Sequence, residues 1–189
     1  MKCSIKKKDY FKIYKMTENV FPLGDFDCGS LCNSICCVVE NKEKDNRLLE
    51  MVLYLLPGEE ELLEEDDWFE MYYETTEECE YPDSWDGNVY YIKCTNPPHC
   101  NRKYRPIQCR SFPLSPHLDS DNKLHLIYDE DDMTYKCPLI SEKIELDDKF
   151  VKTIFKMWEK LIQDKLIFDL VKMDSDNREK NNIDYVRVI

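Results

Sequence analysis

The run Cys28-Gly29-Ser30-Leu31-Cys32-Asn33-Ser34-Ile35-Cys36-Cys37 decides how this chain is read. Four thiols fall inside ten residues, on a stretch that Gly24, Asp25, Asp27, Gly29, Ser30 and Asn33 mark as a loop. Such a loop has no room for four separate structural jobs. Thiolates bind zinc at ~2.3 Å, and four of them can surround one ion. The same ligand type suits iron–sulfur clusters. Close spacing along the chain also lowers the entropy cost of gathering ligands. Neighbouring side chains tend to point apart. Cys36 and Cys37 are therefore expected either to serve two different metals or to leave one thiol as a packed bystander.

A second group follows at Cys94, Cys100 and Cys109, then Cys137 before Pro138. Around it stand Lys93, Arg102, Lys103, Arg105 and Arg110. Four thiolates on a divalent ion leave a formal charge of about −2, which guanidinium donors offset by charge-assisted hydrogen bonds. Basic neighbours also lower thiol pKa values toward the metal-binding form. Cys28, Cys32, Cys36, Cys37, Cys94, Cys100, Cys109 and Cys137 are the expected ligands. Arg105 and Arg110 are the expected supporting donors.

Working outward, the chain has 189 residues and 10 cysteines, with a formal net charge of −13. One domain over 1–189 suits this length, with a cysteine-rich core at about 24–140. The negative balance argues against nucleic-acid binding. Four glycines in the whole chain argue against glycine-rich phosphate loops. The N-terminal stretch lacks the apolar segment of a signal peptide, and no run reaches the ~20 apolar residues of a membrane span. A cytoplasmic location follows as an expectation, where clustered thiols favour metal chemistry over disulfides.

The expected fold is α+β, a small sheet with flanking helices and a metal-ordered loop region. Leu48–Leu56, Val89–Ile92 and Leu124–Tyr128 read as strands of that sheet. Residues 58–73 read as a helix behind Pro57-Gly58, with an acidic first turn. Residues 147–172 give the clearest helix, capped by Asp147 or Asp148. Its buried stripe is expected to run through Val151, Ile154, Phe155, Trp158, Leu161, Ile162 and Leu166. A short helix is expected within 5–22, irregular chain from Cys94 to Pro116, and a mobile polar tail at 174–182. The last residues, 185–189, read as a possible edge strand.

The cysteine cluster at 28–37, with Cys94, Cys100 and the run Arg105-Pro106-Ile107-Gln108-Cys109-Arg110-Ser111-Phe112-Pro113-Leu114, resembles the YkgJ-type family. That family is a zinc- or iron-chelating domain with a CxxCxxCC signature. The "RPxxCRxFP" run is the most specific part, and Cys137 is similar to the late family cysteine. The resemblance spans roughly 28–140 and implies metal chelation. A related group, the flagellin lysine methylases, suggests an iron–sulfur alternative. The first spacings here are three and three residues, where the family has two and two.

Other candidates read more plainly. Cys3 is expected to be buried or simply exposed, and Cys79, among glutamates, to be a non-ligand. His99 reads as a surface residue, and His117 and His125 as structural. Trp68, Trp85 and Trp158 read as core. The acidic run Glu59 to Asp67 reads as a solvated helix face without a calcium-loop pattern. The function expected is chelation of zinc, or an iron–sulfur redox protein as the alternative. Disulfide-stapled and zinc-finger readings rank behind these. The metal ion is the expected partner, with neither nucleic acid nor membrane.

Overall fold

From the N-terminus the chain forms α1 (Lys7–Thr17), α2 (Gly29–Cys32), β1 (Val39–Asn41), β2 (Arg47–Leu49), β3 (Val52–Tyr54) and β4 (Phe69–Thr75). Then follow β5 (Asn88–Cys94), α3 (Ile107–Ser111), β6 (Leu114–Leu118), β7 (Leu124–Tyr128), α4 (Pro138–Ser141), α5 (Asp148–Leu161) and α6 (Lys165–Lys180). The structure is a computed structural model that describes residues 2–37, 39–41, 47–49, 52–63, 67–76, 80–129 and 135–189. The fold is α+β. Among the described residues the strands form three antiparallel sheets, β1-β2, β3-β5-β4 and β6-β7.

Asp147 starts α5 because its side chain accepts from the Phe150 N–H at 2.9 Å. The stripe it buries is Phe150, Ile154, Met157, Trp158 and Leu161, close to the expected spacing. Val151, Phe155, Ile162 and Leu166 pack beside it partly buried. The helix does not run to 172. Asp164 is itself a cap, accepting from Leu166 and Ile167, and so begins a second helix. Its other oxygen takes the backbone and hydroxyl of Ser4 at 2.6 Å, which pins the N-terminal strand of chain. The tail expected to be mobile is helical through Lys180, because Ser175 is buried and donates to the Val171 carbonyl.

The helix expected over 58–73 is absent. Glu60–Leu62 makes only a 3-10 turn, and Phe69–Thr75 is a strand paired with all of β5. Cross-strand aromatic pairing decides this. Tyr72 stacks on Tyr91 at 5.3 Å, and Tyr73 meets Tyr90 at 5.9 Å. Leu124–Tyr128 does not join the central sheet. It pairs with Leu114–Leu118 across a tight turn, so the chain before Pro116 is not irregular to its end. Pro116 is tolerated because β6 is an edge strand. The other edge of β7 takes the C-terminal residues, through Val188 N–H to Leu126 O at 2.8 Å and Tyr128 N–H to Val186 O at 3.1 Å.

α1 packs on α5, α5 on β7, and α6 on β6. Tyr10, Ile92, Ile107, Leu126 and Ile154 are fully buried between these layers. Among the described residues no helix is long and apolar enough to cross a membrane.

The β6–β7 turn is tied by Asp119, which accepts from His125 Nε2 at 2.8 Å and from the Lys123 and Asp121 N–H groups. These bonds, the histidine first, hold its carboxyl down at about 2. A depressed folded-state pKa contributes stability present above the ordinary aspartate range and lost as pH falls through the folded value. The advantage of wild type over Asp119→Asn in urea unfolding is therefore expected to be present at pH 5 and to shrink between about pH 4 and 2. An advantage independent of pH would show that the carboxylate charge does not matter there.

Candidate metal centre

The first cysteine loop folds on local backbone chemistry. α2 is one turn, ended by Asn33 and Ser34, both in the left-handed region. The reversal brings Ser34 so close that a Cβ at Gly29 would lie 2.5 Å from Ser34 Oγ. A side chain at 29 would make the Ser34 hydroxyl turn aside. The turn then delivers Cys36 and Cys37 with their sulfurs 4.0 Å apart. This corrects the expectation that the two point away from each other. The spacing is near the ~3.8 Å tetrahedral edge that a 2.3 Å zinc–sulfur bond implies.

The second cysteine segment is held from three sides. β5 carries Cys94 as its last residue, opposite Phe69. Asn101 caps the Arg102–Tyr104 turn, and Pro106 precedes α3, which bears Cys109 and Arg110. Glu59 anchors the start of α3. It is 1% exposed, accepting from Ile107 N–H at 2.8 Å, Tyr14 hydroxyl at 2.7 Å and Leu56 N–H at 3.0 Å. It was grouped with a solvated acidic run in the sequence, and here it is a buried hub. Burial pushes its carboxyl up, against the pull of those three donors. The run's residues 64–66 lie outside the described residues.

Arg110 is buried over the Tyr14 ring at 4.0 Å. It donates to the carbonyls of Arg105, Lys103 and Arg102 at 2.5, 2.7 and 3.2 Å, and to Thr17 Oγ1 at 3.1 Å. It therefore grips the backbone of the loop between Cys100 and Cys109, with its hydrogen bonds on oxygens. Arg105 does meet sulfur. Its Nε and Nη2 donate to Cys100 Sγ at 3.2 and 3.1 Å. Arg102 ties the two loops together through Asp27 at 3.3 Å and covers the Phe21 ring at 4.9 Å.

Cys36, Cys37, Cys94, Cys100 and Cys109 line one cavity of about 220 Å³, together with Arg105. The two cysteine-bearing stretches thus meet. Cys28, Cys32 and Cys137 form a neighbouring group: Cys28 feels the charges of Cys137 and Cys32, and Cys36 those of Cys32 and Cys28. The nine described cysteines are free thiols. Cys3 lies elsewhere, with its thiol pushed up to about 12 by burial. Cys79 lies outside the described residues. His99 is exposed, while His117 and His125 are buried on β6 and β7.

Burial, and then the charge of Cys100, pushes the Cys94 thiol up to about 11. Burial also raises Cys109, Cys28 and Cys137. In the Cys36–Cys37 pair one proton leaves more readily than from a free thiol. The S–H of Cys36 and then Arg105 and Arg102 favour the Cys37 thiolate. The donor set is all sulfur, which fits zinc or iron chemically. Among the described residues no group of three or more His, Cys, Asp or Glu side chains stands close enough to hold one ion. The thiols share a cavity without being drawn together in it.

Arg110→Ala is expected to cost about 3 kcal/mol, because it leaves buried carbonyls without donors. Arg110→Lys should recover less than half of that, since an ammonium cannot span the same acceptors. Urea unfolding measures both. Faster alkylation of Cys100 in Arg110→Ala, under conditions where it remains folded, would show that the loop has loosened.

No protein-family model, curated protein or solved structure matches the chain.

Proposed function

We propose that this chain is a metal-binding protein that chelates zinc on clustered cysteine thiolates, as its resemblance to the YkgJ-type family implies. One observation carries the reading. Five thiols from two stretches far apart in sequence line a single cavity, and a guanidinium donates twice to one of their sulfurs. Cys37, Cys94, Cys100 and Cys109 would hold the ion, with Cys36 beside them. Cys28, Cys32 and Cys137 make the adjoining set. Side-chain rotation on these half-buried loops is what closing the site requires. A zinc bound there supplies a cross-link between the two loops, stabilising chain that has little regular structure of its own. Arg105 offsets the charge that accumulates on the sulfurs. A reducing compartment such as the cytoplasm would keep these thiols available to a metal.

An iron–sulfur cluster is the second reading. In a four-iron, four-sulfide cluster each thiolate binds its own iron, so the sulfurs stand further apart around a cavity. The cavity of about 220 Å³ that the five thiols share favours it.

Metal analysis of anaerobically purified protein, beside a visible spectrum, separates the two. Colourless protein with stoichiometric zinc is the expected outcome. Brown protein with iron and sulfide moves the assignment to the second reading, and protein without stoichiometric metal overturns both. Cys94→Ser and Cys100→Ser should each lose metal, whereas Cys3→Ser should keep it. Arg105→Ala should weaken metal binding by roughly 10-fold, measured by competition with a chromogenic chelator.

A further inference from the structure

Cys36 and Cys37 present their sulfurs side by side, 4.0 Å apart, and both residues are half-buried, so a solute can reach the pair. The turn before them holds this arrangement. Asn33 and Ser34 reverse the chain in the left-handed region, and the Cys37 N–H donates to the Ser34 carbonyl at 2.7 Å. Adjacent thiols on one side of the chain form a chelating dithiol. Joining them directly in a disulfide is disfavoured. Consecutive Cα atoms stand ~3.8 Å apart across a trans peptide, short of the ~4.4–6.8 Å that disulfides usually span. The sulfurs would also have to close to ~2.05 Å. An atom inserted between them and bonded to both asks for less movement.

The surroundings limit what else that atom carries. The Cys37 sulfur stands among the groups that wall the thiol cavity, since Cys94, Cys109 and Arg105 all feel its charge. Tyr135, in the same wall, feels that of Cys36. Beyond the sulfurs the wall includes Leu53, Pro97, Pro98 and Phe112, which are apolar. Such a surface favours a neutral product over an ion. At about 220 Å³ the hollow takes a small carbon group, below the ~300–1,000 Å³ of drug-sized pockets. Trivalent arsenic bearing one carbon group meets these conditions. Two thiols fill its remaining valences, and the product is uncharged.

We propose that Cys36 and Cys37 form a dithiol site for a monosubstituted trivalent arsenical, R–As(OH)2, whose carbon group lies in the apolar hollow beside them. Two As–O bonds break and two As–S bonds form. The thiol protons leave with the hydroxyls as water, and arsenic stays trivalent, so no oxidant or reductant takes part. The site uses one loop and no cation. It therefore goes beyond the zinc reading, although the two occupants compete for Cys37.

The test treats the full chain, kept reduced by a phosphine, with phenylarsine oxide, as purified and again after a chelator has removed any metal. The first equivalent should add one phenylarsenic group in exchange for two thiol hydrogens. Cys36 and Cys37 should then resist iodoacetamide, while Cys94 and Cys100 react as before. Cys36→Ser and Cys37→Ser should each weaken binding about 100-fold, the loss of a second linked contact, and Cys3→Ser should not. A 4-carboxyphenyl analogue should bind about 10-fold more weakly, because its charge meets the apolar wall. Protection of other cysteines instead, or equal affinity for the two arsenicals, overturns the proposal. Both are wild-type readings, so they decide the matter if a serine variant does not fold. Metal content of the same sample keeps the results apart. Zinc-bearing protein that takes no arsenical sinks only the dithiol site, and protein without stoichiometric metal that takes it sinks only the metal reading.

Discussion

Tyr14 stands between a buried carboxylate and a buried guanidinium, and the second cysteine segment depends on that arrangement. Its hydroxyl donates to Glu59, its ring lies under Arg110, and its carbonyl receives Arg110 Nη1 at 3.4 Å. Glu59 in turn holds the first N–H of α3, and Arg110 holds three carbonyls of the loop before it. Burying two charges is costly, and here the cost is offset by filling nearly every lone pair and N–H they present. Removing one partner would strand the others. It follows that α1, which lies outside the stretch resembling a metal-chelating family, belongs to the same cooperative unit as Cys100 and Cys109. The second cysteine segment is not a free loop tacked onto a helical support.

The sulfurs sit under opposed influences. Burial resists ionisation at Cys94 and Cys109, and each neighbouring thiolate resists it further. Arg105 works the other way. Burial opposes its charge, yet Cys100 and the thiols around it raise its pKa overall. One arginine cannot balance five thiolates. Full deprotonation of the set therefore needs a cation in the cavity, and binding that cation releases protons.

Local rules were legible where local forces decide. α5 could be read from Asp147 and the spacing of Ile154, Trp158 and Leu161, because a cap and an apolar stripe are written in adjacent residues. β5 could be read from the apolar and aromatic run after Asn88. β4 could not, since Pro57-Gly58 and the glutamates imitate a helix start. What makes Phe69–Thr75 a strand is a tyrosine ladder supplied by a partner many residues later. Asp164 was overlooked as a cap because apolar spacing continues across it. For the site, spacing told which cysteines cluster. Which sulfurs share a cavity, and that Glu59 leaves its acidic run to become a buried hub, are tertiary facts with no local signature.

The cavity bears on what kind of centre the thiols form. A closed site with four thiolates excludes other ligands, and an apolar hollow beside it would be filled by side chains in a well-packed protein. Here the hollow is walled by Trp68, Phe112 and prolines, residues large enough to close it, and it stays open to the sulfurs. A cation held by four of these sulfurs would tie the two loops together across that hollow.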